Sequence, residues 1–418
     1  MHGTRGRGGR RFGLVVALIG LLGSASAFAE EFEQLFPSTT AGSSVRAESG
    51  WRIRYQVLKK GTHSYGAGEV LEIQSAEFMR GYTSSGQPDW IRVLNNLVLN
   101  EMYVVYNDGE EIYDSTNYPS TFVPPLFSEP SRRGLPRPYI GPDNVVREVV
   151  DDRVRWVLPT INPNPNVSPS PPNRMRRGEV LDLWAVMEAG QYCYIVLYSF
   201  SDDGTIHVRV GATGHNFRNL DVGENNGIHV HMPVWRLQLA LGDATRNMIE
   251  VVERKGGAPG SGSAFVKLDR RPFNNGLEGG EIWHPELFTT LMITNDMTQN
   301  RHNPPSKVSY MLRPIGSGQL RNDQAFTQYD FWVTRVYAPR PSNPELRFLD
   351  VPRVVRQPLQ IQNQAVVIWH SVPFQHIPRT EDFGPSGNNA WDGLALTMWA
   401  GFDLMPHNLW DKTPLFKR

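Results

Sequence analysis

Two histidines two residues apart, His229 and His231, lie in the stretch 227–237, which alternates and carries β-branched residues. That is the pattern of a strand. In a strand residues i and i+2 point to the same face, so the two imidazoles project side by side, about 7 Å apart at their backbones. So placed, they can share one metal ion. His-x-His alone also describes two polar residues on a solvated face, so a third ligand must come from elsewhere. His376 is one candidate. It follows the strand-like run 364–370 and sits between Pro373 and Pro378, whose fixed φ angles stiffen the segment and suit it to a metal site. His370, at the end of that run, competes for the role. A second chemistry-bearing feature is the stretch 191–200, in which Tyr192, Tyr194, Val196, Tyr198 and Phe200 share one face by parity and Cys193, Ile195, Leu197 and Ser199 share the other. The first face reads either as an aromatic core stripe or as an apolar wall around a reactive side chain.

The elements that must position these residues are strands. The chain has 418 residues, abundant aromatics, 38 Gly and 32 Pro, and little long helical periodicity, which indicates a β-rich protein with room for a large core. Residues 51–58 alternate as a first strand and 68–76 as a second. Residues 89–106 read as a strand pair turning at Asn95-Asn96. Val180 to Met187, 191–200 and 205–211 form three more strands, the last two joined by Ser201-Asp202-Asp203-Gly204, a hairpin turn. Residues 145–158 suggest a strand or an edge strand, and further strands cover 247–254 and 331–337. Residues 107–145 read as mostly loop, 162–173 as a loop or a linker between subdomains, 256–262 as a flexible loop, 30–49 as a loose arm, and 339–359 as an extended arm or crossing loop rich in Pro and Arg. His284 and His302 read as surface imidazoles.

The first 29 residues carry Arg5, Arg7, Arg10 and Arg11, an apolar run of ten residues from Gly13 to Leu22, and Ala27-Phe28-Ala29. Ten apolar residues are too few to span a bilayer, and the order basic, apolar, small is that of an export signal. The pair Arg10-Arg11 before Phe12 faintly resembles a twin-arginine signal, and the general secretory route fits as well. The 42 basic residues balance the 42 acidic ones; removal of 1–29 takes away four arginines and no acid, leaving 38 against 42, a formal net of −4. No basic excess points to nucleic acid, and a mildly acidic chain fits a periplasmic or extracellular protein. Cys193 is the only cysteine, so no intrachain disulfide forms, and a lone thiol reads first as a small buried hydrophobe.

A set of motifs in sequence order goes further. His229-x-His231 is followed by Arg236-Leu237; His376-Ile377-Pro378-Arg379-Thr380-Glu381-Asp382 follows later; and the chain closes with Gly401-Phe402-Asp403-Leu404-Met405-Pro406, then Asn408 and Asp411. Trp332-Val333-Thr334, Asp203-Gly204-Thr205-Ile206 with Gly211-Ala212-Thr213-Gly214, and Glu101-Met102 complete the set. These motifs, spread from about residue 90 to the C-terminus, resemble the catalytic domain of the copper-containing primary amine oxidases, which carry a quinone made from their own tyrosine. The resemblance implies a mainly β fold, a large antiparallel β-sandwich (supersandwich) over 90–418, preceded by an N-terminal arm and first strands at 30–89 with little else added, and a homodimer. It implies copper(II) on His229, His231 and His376.

In that family the cofactor tyrosine stands in a Thr-x-x-Asn-Tyr-Asp/Glu-Tyr strand, matched here by Glu188-Ala189-Gly190-Gln191-Tyr192-Cys193-Tyr194. Tyr192 takes the position of the topaquinone precursor, with Gln191, Cys193 and Tyr194 around it. Gln191 replaces the asparagine and Cys193 the acid, and a thiol carries no charge unless its pKa is lowered. The family's aspartate base lacks its usual Gly-Glu context; Asp114 lies in the right region, with Asp108 as rival. A peripheral calcium site is not expected, because Gln238 and Ala240 stand where the family has acids. The implied reaction takes a primary amine, dioxygen and water to an aldehyde, ammonia and hydrogen peroxide. The departures leave two alternatives: a copper protein with different oxidative chemistry on an unmodified or differently modified Tyr192, and a non-catalytic binding protein on the same fold.

Overall fold

The computed structural model describes residues 29–37, 47–58, 69–114, 121–122, 139–141, 144–157, 175–190, 192–215, 227–255, 267–316, 318–336, 347–379, 382 and 394–411. The segment up to residue 28 that reads as an export signal, the stretches 162–173 and 256–262 that read as loops, the part 339–346 of the expected arm, and Gln191 lie outside them.

The described strands, in chain order, form two antiparallel sheets. The first described elements are β1 (Ala29–Phe36), β2 (Ser49–Leu58), β3 (Val70–Tyr82) and β4 (Pro88–Tyr106), all in the first sheet. Three short strands follow: β5 (Glu111–Tyr113), β6 (Thr121–Phe122) and β7 (Tyr139–Ile140). Then come β8 (Val146–Val157), β9 (Met175–Ala189), β10 (Tyr192–Ser201) and β11 (Ile206–Gly214) of the second sheet, and β12 (His229–Leu239) back in the first. Next are β13 (Asn247–Lys255), β14 (Lys267–Pro272), β15 (Gly279–Glu281), β16 (Thr290–Gln299) and β17 (Lys307–Ile315). The last are β18 (Phe331–Arg335), β19 (Val366–Ser371), β20 (Phe374–His376) and β21 (Ala395–His407). The first sheet runs β1-β2-β3-β4-β12-β19-β18-β15, with β20 also on β12 and β5 on β4. The second runs β14-β13-β16-β17-β21-β11-β10-β9-β8-β7, with β6 on β9.

The inner faces meet in one large aromatic and aliphatic core. Trp235 of the first sheet packs edge-on to Tyr198 and Phe402 of the second, at 5.9 and 6.0 Å between ring centroids. Trp51 packs against Phe200 at 5.2 Å, and its indole N–H donates to the carbonyl of Ser201. Face-to-face packing of two alternating sheets is what this patterning requires. The parity of β10 is as read from the sequence: Tyr192, Tyr194, Val196, Tyr198 and Phe200 are buried, whereas Cys193, Ile195 and Leu197 on the other face are half-buried. The hairpin at 201–204 also forms, with Gly204 at φ +92°.

Three expectations are corrected. Residues 30–36 are no loose arm: β1 pairs with β2 along its whole length, from Ala29–Gln56 to Phe36–Ser49. Residues 89–106 are one strand and not a hairpin. At Asn95-Asn96 the chain continues straight, with Asn95 unpaired where the register to β12 steps from Gln238–Asn96 to Leu239–Leu94, a bulge and not a turn. The amide of Asn96 finds partners in neighbouring strands, donating to Glu72 of β3 and accepting from Arg236 of β12. Local turn chemistry is thereby overridden by tertiary hydrogen bonds. Residues 347–359 do not extend as an arm. A 3-10 turn at Phe348–Asp350 and a short helix, Val351–Val354, bury Phe348 and Val351, and Phe348 packs on Phe326 and Trp369. β1, β2 and β3 join the same sheet as β4 and β12, and position 90, where the motif resemblance begins, lies within β4.

Candidate metal centre

The centre forms where β12 is flanked by β4 on one side and β20 on the other. His229 lies opposite Tyr106 of β4 and opposite His376 of β20, while His231 lies opposite Val104 and Phe374. Two ladders therefore bring all three histidines to the inner face. All three are buried, and one ligand atom of each lies within 4.8 Å of those of the other two. His229 Nε2 is 2.9 Å from His231 Nε2 and 3.3 Å from His376 Nδ1. Nitrogens bound about 2.0–2.1 Å from one ion at ordinary coordination angles stand about 2.9–3.4 Å apart, so these spacings fit a common metal.

The outer nitrogens fix which lone pairs face inward, a tautomer assignment made from the hydrogen-bond network. His229 Nδ1–H donates to the Gly227 carbonyl at 2.6 Å. His231 Nδ1 meets the Tyr194 hydroxyl at 3.4 Å. His376 Nε2–H donates to Asp382 Oδ2 at 3.3 Å. His229 and His231 thus present Nε2 to the centre and His376 presents Nδ1. Burial keeps the imidazoles neutral. It takes His229 down to about 4 against an opposing hydrogen bond to Gly227. His231 is held well below its ordinary value by burial and by its two histidine neighbours, and His376 is lowered by burial against the pull of Asp382. Three neutral imidazoles are a donor set suited to copper or zinc. Aromatic rings pin them: Tyr106 lies 4.7 Å from His229, and Phe374 stacks on His231 at 5.0 Å and 20°.

Tyr192 reaches this cluster from the opposite sheet. Its ring centroid is 5.1, 5.6 and 6.3 Å from those of His231, His229 and His376. Its hydroxyl donates to His376 Nδ1 at 2.7 Å, the nitrogen turned toward the centre. The ring is 4 % exposed, and burial holds the phenol well above its usual pKa, with Tyr106, Asp382 and Asp114 adding to the effect. Tyr194 stacks on Tyr192 at 6.0 Å and donates its hydroxyl to Asp114 Oδ2. Asp114 follows β5, which hangs on β4, and is 6 % exposed. Burial raises its carboxyl to about 7 although the Tyr194 hydrogen bond pulls it down.

Of the candidate residues, the structure brings together Tyr192, Tyr194, Asp114, His229, His231 and His376. His370 stays out: it is buried on β19, with Nδ1 bonded to the Asp330 carbonyl at 2.9 Å and its ring stacked on Phe331. Asp108 sits in the exposed turn after β4 and caps the Glu110 amide. Cys193 lies on the opposite face of β10 from Tyr192, paired with Glu188 and Thr213; burial and Glu188 raise its thiol, so it supplies no thiolate. Gln191 lies outside the described residues. Sequence reasoning assigned no role to Tyr106, Phe374 or Asp382. Asp382 was visible as the last residue of the His-x-Pro-Arg-x-Glu-Asp run, whereas Tyr106 and Phe374 carry no local signal and become neighbours only through pairing with β12.

The family model for copper amine oxidase, enzyme domain, matches residues 167–417. The chain is 26% identical over 285 residues to "Amine oxidase [copper-containing] alpha 2, peroxisomal" of Arabidopsis thaliana, covering 56% of this chain and 38% of that protein. It is 27% identical over 279 residues to "Histamine oxidase" of Arthrobacter globiformis, covering 58% and 38%. The chain thus spans little more than a third of the length of these curated relatives. The crystal structure of a copper-containing benzylamine oxidase from Hansenula polymorpha superposes with a TM-score of 0.64 at 18% identity, over 89% of this chain and 61% of that one, a likeness of fold. The histidine cluster lies inside the matched stretch, and the chain belongs to the copper amine oxidase family, whose enzyme domain it carries.

Proposed function

We propose that this protein catalyses the copper-dependent oxidative deamination of a primary amine, with a quinone derived from Tyr192 as its organic cofactor. Amine, dioxygen and water give an aldehyde, ammonia and hydrogen peroxide. The observation that carries the reading is the position of the Tyr192 hydroxyl, 2.7 Å from His376 Nδ1 at the centre of a three-histidine cluster. His229, His231 and His376 would hold copper(II), which with dioxygen supplies the oxidation of Tyr192 to topaquinone, and the quinone supplies the electron sink for the amine.

The rest falls to the protein's own side chains. Asp114 is placed to accept a proton: a carboxyl raised to about 7 takes and returns protons near neutral pH, which is what a general base needs. Tyr194 holds Asp114 Oδ2 through its hydroxyl and stacks on the Tyr192 ring, so base and cofactor precursor share one support. The buried faces of Tyr192, Tyr194 and Tyr106 exclude bulk water. The order basic, apolar, small at residues 1–29 supports export to the periplasm or the outside, and family membership supports a homodimer.

Cys193 and Gln191 stand where the family resemblance calls for an acid and an asparagine, which favours a second reading: a copper protein with altered oxidative chemistry on an unmodified or differently modified Tyr192. Peroxide release on a panel of primary amines by copper-loaded protein distinguishes the two. Turnover that disappears in Tyr192→Phe supports the amine oxidase. Full copper loading with no turnover of any amine supports the second.

A further inference from the structure

The outer face of the second sheet carries a group of side chains that the copper centre does not use. Alternation along β16, β17 and β21 sends Leu291, Ile293, Tyr310, Leu312 and Leu404 into the core, so the residues between them face outward. Met292, Met311 and Met405 are on that outer side and are direct partners: Met292 pairs with Met311, and Met311 with Met405. Direct partners on one face have Cβ atoms about 4.5–5.5 Å apart, so three thioethers stand in one row across three strands. In the next row Met248 of β13 pairs with Thr294, Thr294 with Ser309, and Ser309 with His407. The hydroxyls of Thr294 and Ser309 bond each other at 2.9 Å. Both side chains are small, which leaves a low floor between Met248 and His407.

Met292 is buried, Met311 and Met405 are half-buried, and His407 is exposed. Burial of part of the His407 ring and the charge of Arg270 lower its pKa, so the imidazole is neutral at pH 7. Arg270 belongs to β14 and donates to Glu250 Oε2 at 2.8 Å, and Glu250 is the direct partner of Met292. For that charge to be felt from β21, the His407 ring leans back over β17 toward the methionines. The solvated face of an antiparallel sheet ordinarily takes polar side chains, and an apolar filler would be Leu, Ile or Val, whose rotamers are better defined. Methionine differs from these in carrying a soft, polarizable sulfur on a flexible stem. Soft thioethers select Cu(I). Three of them in one row can converge on an ion by side-chain rotation alone, with the strands left in place.

We propose that Met292, Met311 and Met405, with the imidazole of His407 beside them, form a second metal site on the outer face of the second sheet, and that this site binds Cu(I). Binding changes neither the oxidation state of the ion nor any covalent bond of the protein. The site shares no residue with the three-histidine cluster, whose strands β12 and β20 belong to the first sheet, so the two readings fail separately.

The test titrates the protein anaerobically with Cu(I) held by the chelator bicinchoninate and follows the bound ion by X-ray absorption. It is done on Cys193→Ser protein, which has no thiol left, so any sulfur found on the metal is a thioether. This chain should take up one more Cu(I) than the same chain carrying Met292→Leu, Met311→Leu and Met405→Leu, and its copper should show sulfur neighbours that the triple variant lacks. Leucine conserves the volume and apolar character of methionine, the kind of swap that folds tolerate best. His407→Ala, at an exposed position, should keep the sulfur neighbours and bind Cu(I) more weakly. Equal uptake with and without the three methionines, or bound Cu(I) with no sulfur neighbour, overturns the proposal. Copper(II) loading of the three-histidine cluster should be the same in both chains. Failure of that cluster to take copper(II) overturns the amine oxidase reading, while the sulfur-bound Cu(I) would still establish this site.

Discussion

At the scale of single residues, the centre depends on which nitrogen of each imidazole is bare, and that is set by groups one step behind the ligands. The wild type should hold stoichiometric copper, which His376→Ala should lose and His370→Ala should retain, as metal analysis of the three proteins will show; His370 is tied to the Asp330 carbonyl away from the cluster. Asp114→Asn should keep copper and fold but lower turnover by about 10²–10⁴-fold, the usual worth of a positioned base, in an amine-dependent peroxide assay. The pH dependence follows from the raised carboxyl. With Asp114 at about 7, activity should rise with pH through neutrality. The same shift has a stability consequence of opposite slope. Between the ordinary carboxyl value and about 7 the folded protein holds a proton that the unfolded chain has released, so this contribution is full at low pH and fades as pH rises through 7. Thermal melts of Asp114→Asn and wild type should therefore differ more at pH 8 than at pH 5, in favour of the variant. The His-x-His pair, Tyr192 and the His376 motif were legible in the sequence because their spacing within one strand or one motif carries the chemistry. Asp382 was legible as a letter but not as a partner, since only the turn of the chain at Arg379 places its carboxylate behind His376.

At the scale of elements, the alternation of β10 and β12 identified the faces correctly, because period two is a local property that survives any tertiary arrangement. Neighbours were another matter. Nothing local shows that β4 lies beside β12, with Tyr106 opposite His229, or that β20 returns to the same strand with His376 opposite His229. The Asn95-Asn96 misreading has the same origin: the side-chain partners that straighten this segment come from Glu72 and Arg236 on other strands. The β11–β21 pairing has a testable weak point. A Cβ added at Gly401 would lie 1.9 Å from the Val208 carbonyl oxygen, a clash that only backbone movement relieves. Gly401→Ala should cost about 3 kcal/mol, the upper range for overpacking, measured as a lowered urea midpoint with unchanged slope.

At the scale of the whole molecule, two antiparallel sheets place Tyr192 from one against the three-histidine cluster of the other, so metal loading and sandwich stability should be linked. Copper at 100 times its dissociation constant should add about 2.7 kcal/mol to stability. A chelator should reverse the gain, and His376→Ala should show none of it in calorimetry. Whether the protein is exported and dimeric is checked by the intact mass of protein recovered from the exporting cell, expected to start near Glu30, and by light scattering, expected to give twice the chain mass. The central claim is that Tyr192 becomes a quinone, and peptide mass mapping of copper-loaded, aerobically purified protein tests it most directly. Conversion of the phenol to topaquinone adds two oxygens and removes two hydrogens, so the peptide containing Tyr192 should gain about 30 Da over its sequence mass, and copper-free protein held without oxygen should not. An unmodified Tyr192 in protein fully loaded with copper and exposed to air would contradict the account.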